Sequence, residues 1–301
     1  MPKTKSYLLL HFTVLLFGFT GVLGKLISLP SSDLVWYRML IASVALGIYL
    51  LCFKKPKIPQ HLFGQVLGTG GIIAAHWIFF FEAIKQSNVS VALVGVTSST
   101  LFTGLLAPLF YKKKLVKYEI VLGILVMLGI AIIFQINTKY HLGLILSLVA
   151  AALASLFTLI NERFIKSLAP SRVSFWEMLG GWACITFYFL FAGKFDPAFF
   201  QVSALDWMWL LILGVLCTGF AFVASIRVME HLPAFTVSIS INLEPIYAII
   251  LAFILFSEYE MWNFYFVLGS SLIIGAILLN SYLKKKELKK SKVHIEPKAP
   301  H

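Results

Sequence analysis

The chain has 301 residues, of which 59% are hydrophobic and only 13% charged, and its formal net charge is +12. A soluble domain is nearer 25% charged, so this composition excludes an ordinary soluble enzyme. The basic excess does not indicate nucleic acid either, because Lys and Arg stand beside the ends of apolar runs, where they orient a membrane protein.

Ten apolar runs fill the chain, at roughly 7–27, 33–53, 62–83, 89–110, 118–136, 141–161, 173–192, 206–229, 234–256 and 262–283. Each has about the 20 residues an α-helix needs to cross a hydrocarbon core of roughly 30 Å. Hydrocarbon offers the backbone no hydrogen-bond partner, and the runs are continuous rather than alternating, so they are expected to be helices and not barrel strands. The fold class expected is an all-α membrane protein with ten transmembrane helices. The first run follows Lys3 and Lys5, as a signal peptide would. It is long for a signal h-region and shows no small-x-small cleavage site, so it is read as a retained first helix.

The connectors are short, which places sequential helices side by side. Residues 284–301, rich in lysine and bearing proline, are expected to form a disordered basic tail able to meet anionic lipid. If the N-terminus is cytoplasmic, only Lys25, Lys85, Lys139 and Lys194 among the 25 Lys and Arg fall outside, with Arg38 inside a span. That bias predicts cytoplasmic N- and C-termini, as an even number of spans requires, in a cell (inner) membrane. Cys52, Cys184 and Cys217 are scattered through apolar runs without metal-ligand spacing. Packing is their expected role, and neither metal nor cofactor is expected.

The two halves echo each other. Trp36-Tyr37-Arg38-Met39-Leu40 resembles Phe175-Trp176-Glu177-Met178-Leu179. Phe81-Glu82-Ala83-Ile84-Lys85 stands at the stage of Ile226-Arg227-Val228-Met229-Glu230, and 97–111 parallels 242–256. These correspondences divide the chain into five-helix repeats at 1–138 and 139–283. An odd number of spans inverts the second repeat, the architecture of transporters that alternate access around a midplane site.

With that plan and the stretch 242–279, the chain resembles the EamA-like branch of the drug/metabolite transporter superfamily over residues 7–283. Leu243-Glu244-Pro245, Glu258, and Asn88-Val89-Ser90-Val91-Ala92 opening the fourth span match the family pattern. Lys113 stands where the second half has Glu258, and Ser257-Glu258 replaces the Gly-Glu pair often seen there. The resemblance implies a transporter of amino acids, other small metabolites or drugs, and its motifs do not name the solute.

An ionisable group within a span is a functional candidate by default. Glu244 lies about ten residues into the ninth run, near the midplane at 1.5 Å per residue. Pro245 removes a backbone donor and should kink or open the helix there. Asn242 precedes the pair, and Ser98-Ser99-Thr100 is the counterpart in the first half. Glu244 is expected either to bind a substrate amine or a proton, or to brace the carbonyls that the proline frees. His76 and Trp77 sit mid-span after Gly68-Thr69-Gly70-Gly71, a stretch that permits close helix approach. His76 reads as a proton relay or as a satisfied core histidine. Arg38 and Glu82 lie at matching depth near the outer ends of their spans, and Glu177 and Arg227 near the inner ends. They are expected to form two charge pairs, acting as static braces or as gates. Adjacent Glu162 and Arg163 read as solvated loop charges. Asn88-Val89-Ser90 is also a glycosylation sequon.

The expected function is secondary active transport, with export favoured over import, of a small organic metabolite or drug by alternating access, with proton coupling left open. The competing class is an intramembrane enzyme acting on lipid or peptide. It would need a catalytic pair in register, yet Asp33, Asp196 and Asp206 all lie at span ends, and no Gly-x-Ser-x-Gly, His-Glu-x-x-His or Walker loop occurs. Expected partners are the solute, the bilayer and protons; the choice between monomer and homodimer stays open.

Overall fold

The computed structural model describes residues 3–53, 57–111, 117–134, 140–164, 167–221, 224, 228, 243–256 and 263–293. Among these the chain is helical and forms no strand. The helices are α1 (Lys3–Leu26), α2 (Ser31–Cys52), α3 (Gln60–Gln86), α4 (Val89–Val96), α5 (Ser99–Tyr111), α6 (Lys117–Phe134), α7 (His141–Phe164), α8 (Pro170–Phe191), α9 (Ala204–Leu211), α10 (Glu244–Phe256) and α11 (Phe264–Val293). A π-helical segment, Ile212–Phe220, continues α9. Six stretches are long and apolar enough to cross a membrane: Thr4–Leu26, Ser31–Cys52, Gln60–Gln86, Val89–Phe110, His141–Asn161 and Pro170–Phe191. Ala204–Phe220 and Phe264–Ala276 are shorter apolar helices.

Local chemistry sets the helix ends. Pro30 and Pro59 precede α2 and α3, and Pro170 opens α8, where a missing N–H costs nothing. Asn88 Oδ1 accepts the Val91 N–H at 2.8 Å to cap α4. Ser203 Oγ accepts the Asp206 N–H at 3.0 Å to cap α9. Asn88 and Ser90 are both buried, which leaves the sequon without access. Helix α8 ends at Gly193, whose φ of 61° lets the Lys194 N–H return to the Phe189 carbonyl at 3.0 Å. Helix α11 runs on to Val293, so part of the expected disordered tail is helical.

Helix α3 is central and packs on both α7 and α8, while α2 packs on α8 and the π segment. Helix α1 lies along α10, α6 pairs with α11, and α4 and α5 both lie against α7. The α3–α8 crossing is tight because glycines remove the side chains. A Cβ on Gly70 would fall within 2.7 Å of the Gly181 nitrogen and would also strike the Glu177 carbonyl, and one on Gly180 would meet the Leu67 backbone. The small-residue stretch in α3 thus serves close approach through Gly70, whereas Gly68 faces open space.

That contrast is testable. Gly70→Ala must push α3 and α8 apart and should cost about 1–3 kcal/mol, the usual range for overpacking. Gly68→Ala should be neutral or slightly stabilising, since alanine is the better helix former. Thermal unfolding of the two purified proteins in one detergent checks both; equal melting temperatures would contradict the crossing.

Candidate functional site

The polar groups of this bundle divide into those that satisfy themselves and those that do not. Thr13, Ser43 and Thr69 each donate to the carbonyl four residues back, at 2.7–2.8 Å. Arg38 has no such option. It is 3% exposed, on the buried face of α2. Its Nε donates to Thr218 Oγ1 at 3.0 Å, and its guanidinium lies 3.8 Å from the Trp77 ring centroid and 5.6 Å from that of Phe81. Nη1 is buried without a hydrogen-bond partner among the described residues. A desolvated cation–π contact contributes about 2 kcal/mol. One hydrogen bond to a charged group adds about 1.5–3 kcal/mol. Together these fall near or below the several kcal/mol that burying an ion costs, so a counter-charge is called for.

Glu244 is the carboxyl within electrostatic range of Arg38. It begins α10 and is partly buried, and among the described residues no hydrogen bond joins the two. Glycine brings this helix start inward: a Cβ on Gly18 of α1 would lie 3.1 Å from the Ala248 nitrogen and 3.2 Å from the Glu244 carbonyl. The π segment presents Thr218 to Arg38. Thr218 Oγ1 donates to the Leu213 carbonyl, five residues back, at 2.9 Å while accepting from Arg38. Cys217 beside it is fully buried, in a segment that packs on α1. Sequence reasoning gave Cys217 packing alone and passed over Thr218, Thr20 and Gly18, since single small residues in apolar runs carry no motif.

His76 Nδ1 lies 2.7 Å from the Ala150 carbonyl of α7, which can only accept, so Nδ1 carries the proton in this bond. The ring stacks with Phe80 and meets Phe157 edge-on, tying α3 to α7.

Helices α4 and α5 are separated by a break at Thr97–Ser98. Ser98 Oγ donates to the Gly95 carbonyl at 2.6 Å, and the Ser99 carbonyl accepts from Ser155 Oγ at 2.6 Å. Helix α10 packs against α4, yet among the described residues no hydrogen bond joins Glu244 to Ser98 or Ser99. Thr100 and Pro245 are described as backbone positions of α5 and α10 only, and Asn242, Arg227 and Glu258 lie outside the described residues.

The expected Arg38–Glu82 pair does not form. Glu82 Oε2 accepts from Ser31 Oγ at 2.7 Å and Oε1 from Gln86 Nε2 at 2.7 Å. Glu82 is therefore level with the first residue of α2, while Arg38 lies seven residues deeper, about 10 Å along the axis. Glu177 is 1% exposed, and among the described residues its Oε1 has no partner. Arg163 is not a free loop charge: it reaches the Phe110 carbonyl and ring at the end of α5.

The two ends of the bundle differ. Where α1 and α3 end, Asp206 accepts from the Ser28 N–H at 2.8 Å and from Ser203 Oγ at 2.9 Å, and Lys85 Nζ donates to the Ile27 carbonyl at 3.2 Å. Aromatic rings close over this end, with Tyr37 stacked on Phe199 at 5.4 Å. Where α3 begins and α7 ends, a cavity of about 390 Å³ opens, lined by Leu62, Gln65, Thr69, Ile160, Phe164 and Ser167.

The apolar helices define a multi-pass membrane protein, and comparison with known proteins gives the family. The chain belongs to the EamA-like transporter family, whose model matches residues 4–135 and again residues 141–282. It is similar to the uncharacterized transporter YxxF of Bacillus subtilis, at 27% identity over 83% of this chain and 81% of that protein. An uncharacterized transporter of Archaeoglobus fulgidus is 22% identical over 93% of this chain and 98% of its own length. A protein of known crystal structure shares the fold with a TM-score of 0.64 at 16% identity, covering 94% of this chain and 98% of that one.

Cysteine pairs distinguish the observed contacts from the expected ones. In a protein otherwise lacking cysteine, Ser31→Cys with Glu82→Cys should cross-link readily, and Arg38→Cys with Glu82→Cys should not. Gel mobility after mild oxidation reads the result, and the reverse order would restore the Arg38–Glu82 pair.

Proposed function

We propose that the chain is a secondary active transporter that exports a small organic metabolite, such as an amino acid, or a drug, by alternating access, with Glu244 as the proton-responsive group of the central site. The observation that carries this reading is the buried Arg38 of the first half, whose Nη1 finds no acceptor among the described residues, with the Glu244 carboxyl of the second half within electrostatic range. Ionisable groups held inside a bundle are the ones whose balance a solute or a proton would change.

Two further observations support the inverted-repeat plan with ten spans, its halves at 1–138 and 139–283. The family model matches the chain in tandem. Packing is also reciprocal: α3 contacts α7 and α8, and the repeat-related π segment contacts α1 and α2. Helices α5 and α10, each 13 residues long, begin at positions that correspond in the two halves. The closed Asp206 end and the cavity at the opposite end suit a protein that opens to one side at a time. The lysine bias favours cytoplasmic termini in the cell membrane. The cavity end then faces the cytoplasm, where a solute to be exported is loaded.

Topology is checked by reporter fusions: a fusion after Lys139 should report outside, and one after Lys290 inside. A fusion after Lys290 that reports outside would overturn the inverted plan.

Function is checked with Glu244→Gln, which keeps the shape and hydrogen-bonding capacity of a protonated Glu while removing the titration. In proteoliposomes with an imposed pH gradient, the variant should lose concentrative transport, by at least about tenfold if the group carries the coupling charge. Solute counterflow should persist. A variant with wild-type activity and an unchanged pH profile would reduce Glu244 to a helix brace.

A further inference from the structure

We propose that Arg38 is the anion anchor of this site: its Nη1 receives a carboxylate of the transported solute, so the solutes carried are small organic molecules bearing a carboxylate. This rests on the transporter reading above and adds the chemical group by which the solute is selected. The guanidinium is held rigidly. Thr218 takes Nε at 3.0 Å, and the Trp77 ring covers one face at 3.8 Å. The side chain is 3% exposed, and among the described residues Nη1 has no partner. Glu244 is within electrostatic range but forms no hydrogen bond with it, so no described residue takes up this donor. A buried charged donor left unmet is costly, and the cost is recovered when an acceptor arrives.

The arrangement also says what that acceptor is. A guanidinium matches the planar geometry of a carboxylate and binds it with charge-assisted hydrogen bonds. Trp77 and Phe81 flank the group with apolar surface, which suits an organic anion over an inorganic one. Glu244 repels a second negative group when ionised and attracts an amine, which favours solutes with a single carboxylate.

The test uses the full-length protein in detergent. Thermal stability is followed with the twenty common L-amino acids and with small mono- and dicarboxylates, each beside its amide or methyl ester. At least one monocarboxylate should raise the melting temperature saturably, while its amide or ester binds at least about tenfold more weakly. Arg38→Lys should weaken the acid by a similar factor and leave the amide unchanged. An acid and its amide binding alike, or no acid binding at all, overturns the proposal. So does undiminished acid binding by an Arg38→Lys protein that elutes as the wild type does. If the Arg38 variant does not fold, the acid–amide comparison on the unaltered protein decides alone. A carboxylate that binds through Arg38 but is not moved in proteoliposomes would refute the transporter reading and leave the anchor standing. Transport of a solute without a carboxylate would do the reverse.

Discussion

The constraint behind every feature of this molecule is that hydrocarbon accepts and donates no hydrogen bonds. Small hydroxyl residues meet it locally, by donating to the carbonyl one turn back, as Thr13, Ser43, Thr69 and Thr186 do. Larger polar groups meet it across helices: the Trp36 indole donates to Thr186 Oγ1 at 2.8 Å, and His76 bonds to Ala150. Once these are set aside, few buried polar atoms remain unmatched, among them Nη1 of Arg38 and Oε1 of Glu177. Their sequence positions correspond in the two halves, Arg38 in its Trp-Tyr-Arg-Met-Leu stretch and Glu177 in Phe-Trp-Glu-Met-Leu. On the proposed repeat plan, each half carries a charged, incompletely satisfied group at this position, with opposite sign.

Much of the architecture is legible in the sequence because membrane helices are specified by continuous apolar length, a signal that needs no tertiary knowledge. The close crossing at Gly70 is legible too, since a cluster of small residues has few other uses in a span. Depth is read less well. Counting residues from helix ends put Arg38 and Glu82 together, but the count took both as lying just inside a common boundary. Ser31, which the count placed outside the second span, is the residue that meets Glu82. An error of two or three residues at an end shifts depth by about 3–5 Å, enough to exchange one partner for another.

The central site was half legible. Glu244, His76 and Trp77 stand out as polar or bulky groups at mid-span, and all three lie around or next to Arg38. Arg38 itself was read as one member of a peripheral pair, because nothing in a linear sequence says which helix an arginine faces. The contribution of Thr218 was hidden more deeply. It depends on π-helical turns at Ile212–Phe220, where the Thr218 hydroxyl bonds to the carbonyl five residues back. Widened turns of this kind rotate the residues that follow and are frequent at functional sites. Here they bring Thr218 to Arg38 of α2, from a segment that also packs on α1.

Rigidity and freedom are unevenly distributed around that site. The Arg38 side is fixed by Thr218, Trp77 and the glycine crossing of α3 with α8, all within well-packed helices. The Glu244 side rests on the first turn of a 13-residue helix held by the close approach of Gly18 and by the Tyr247–His11 bond at 3.0 Å. A short helix held at its first turn can tilt or shift with less loss of packing than α2 or α3 can. In an arrangement where two opposite charges interact without contact, the partner that moves sets their separation, and that separation sets how strongly Arg38 is available to another anion. On the proposal above, the fixed cation and the carboxyl that can shift stand on opposite halves, so relative motion of the halves and occupancy of the guanidinium would be two aspects of one equilibrium.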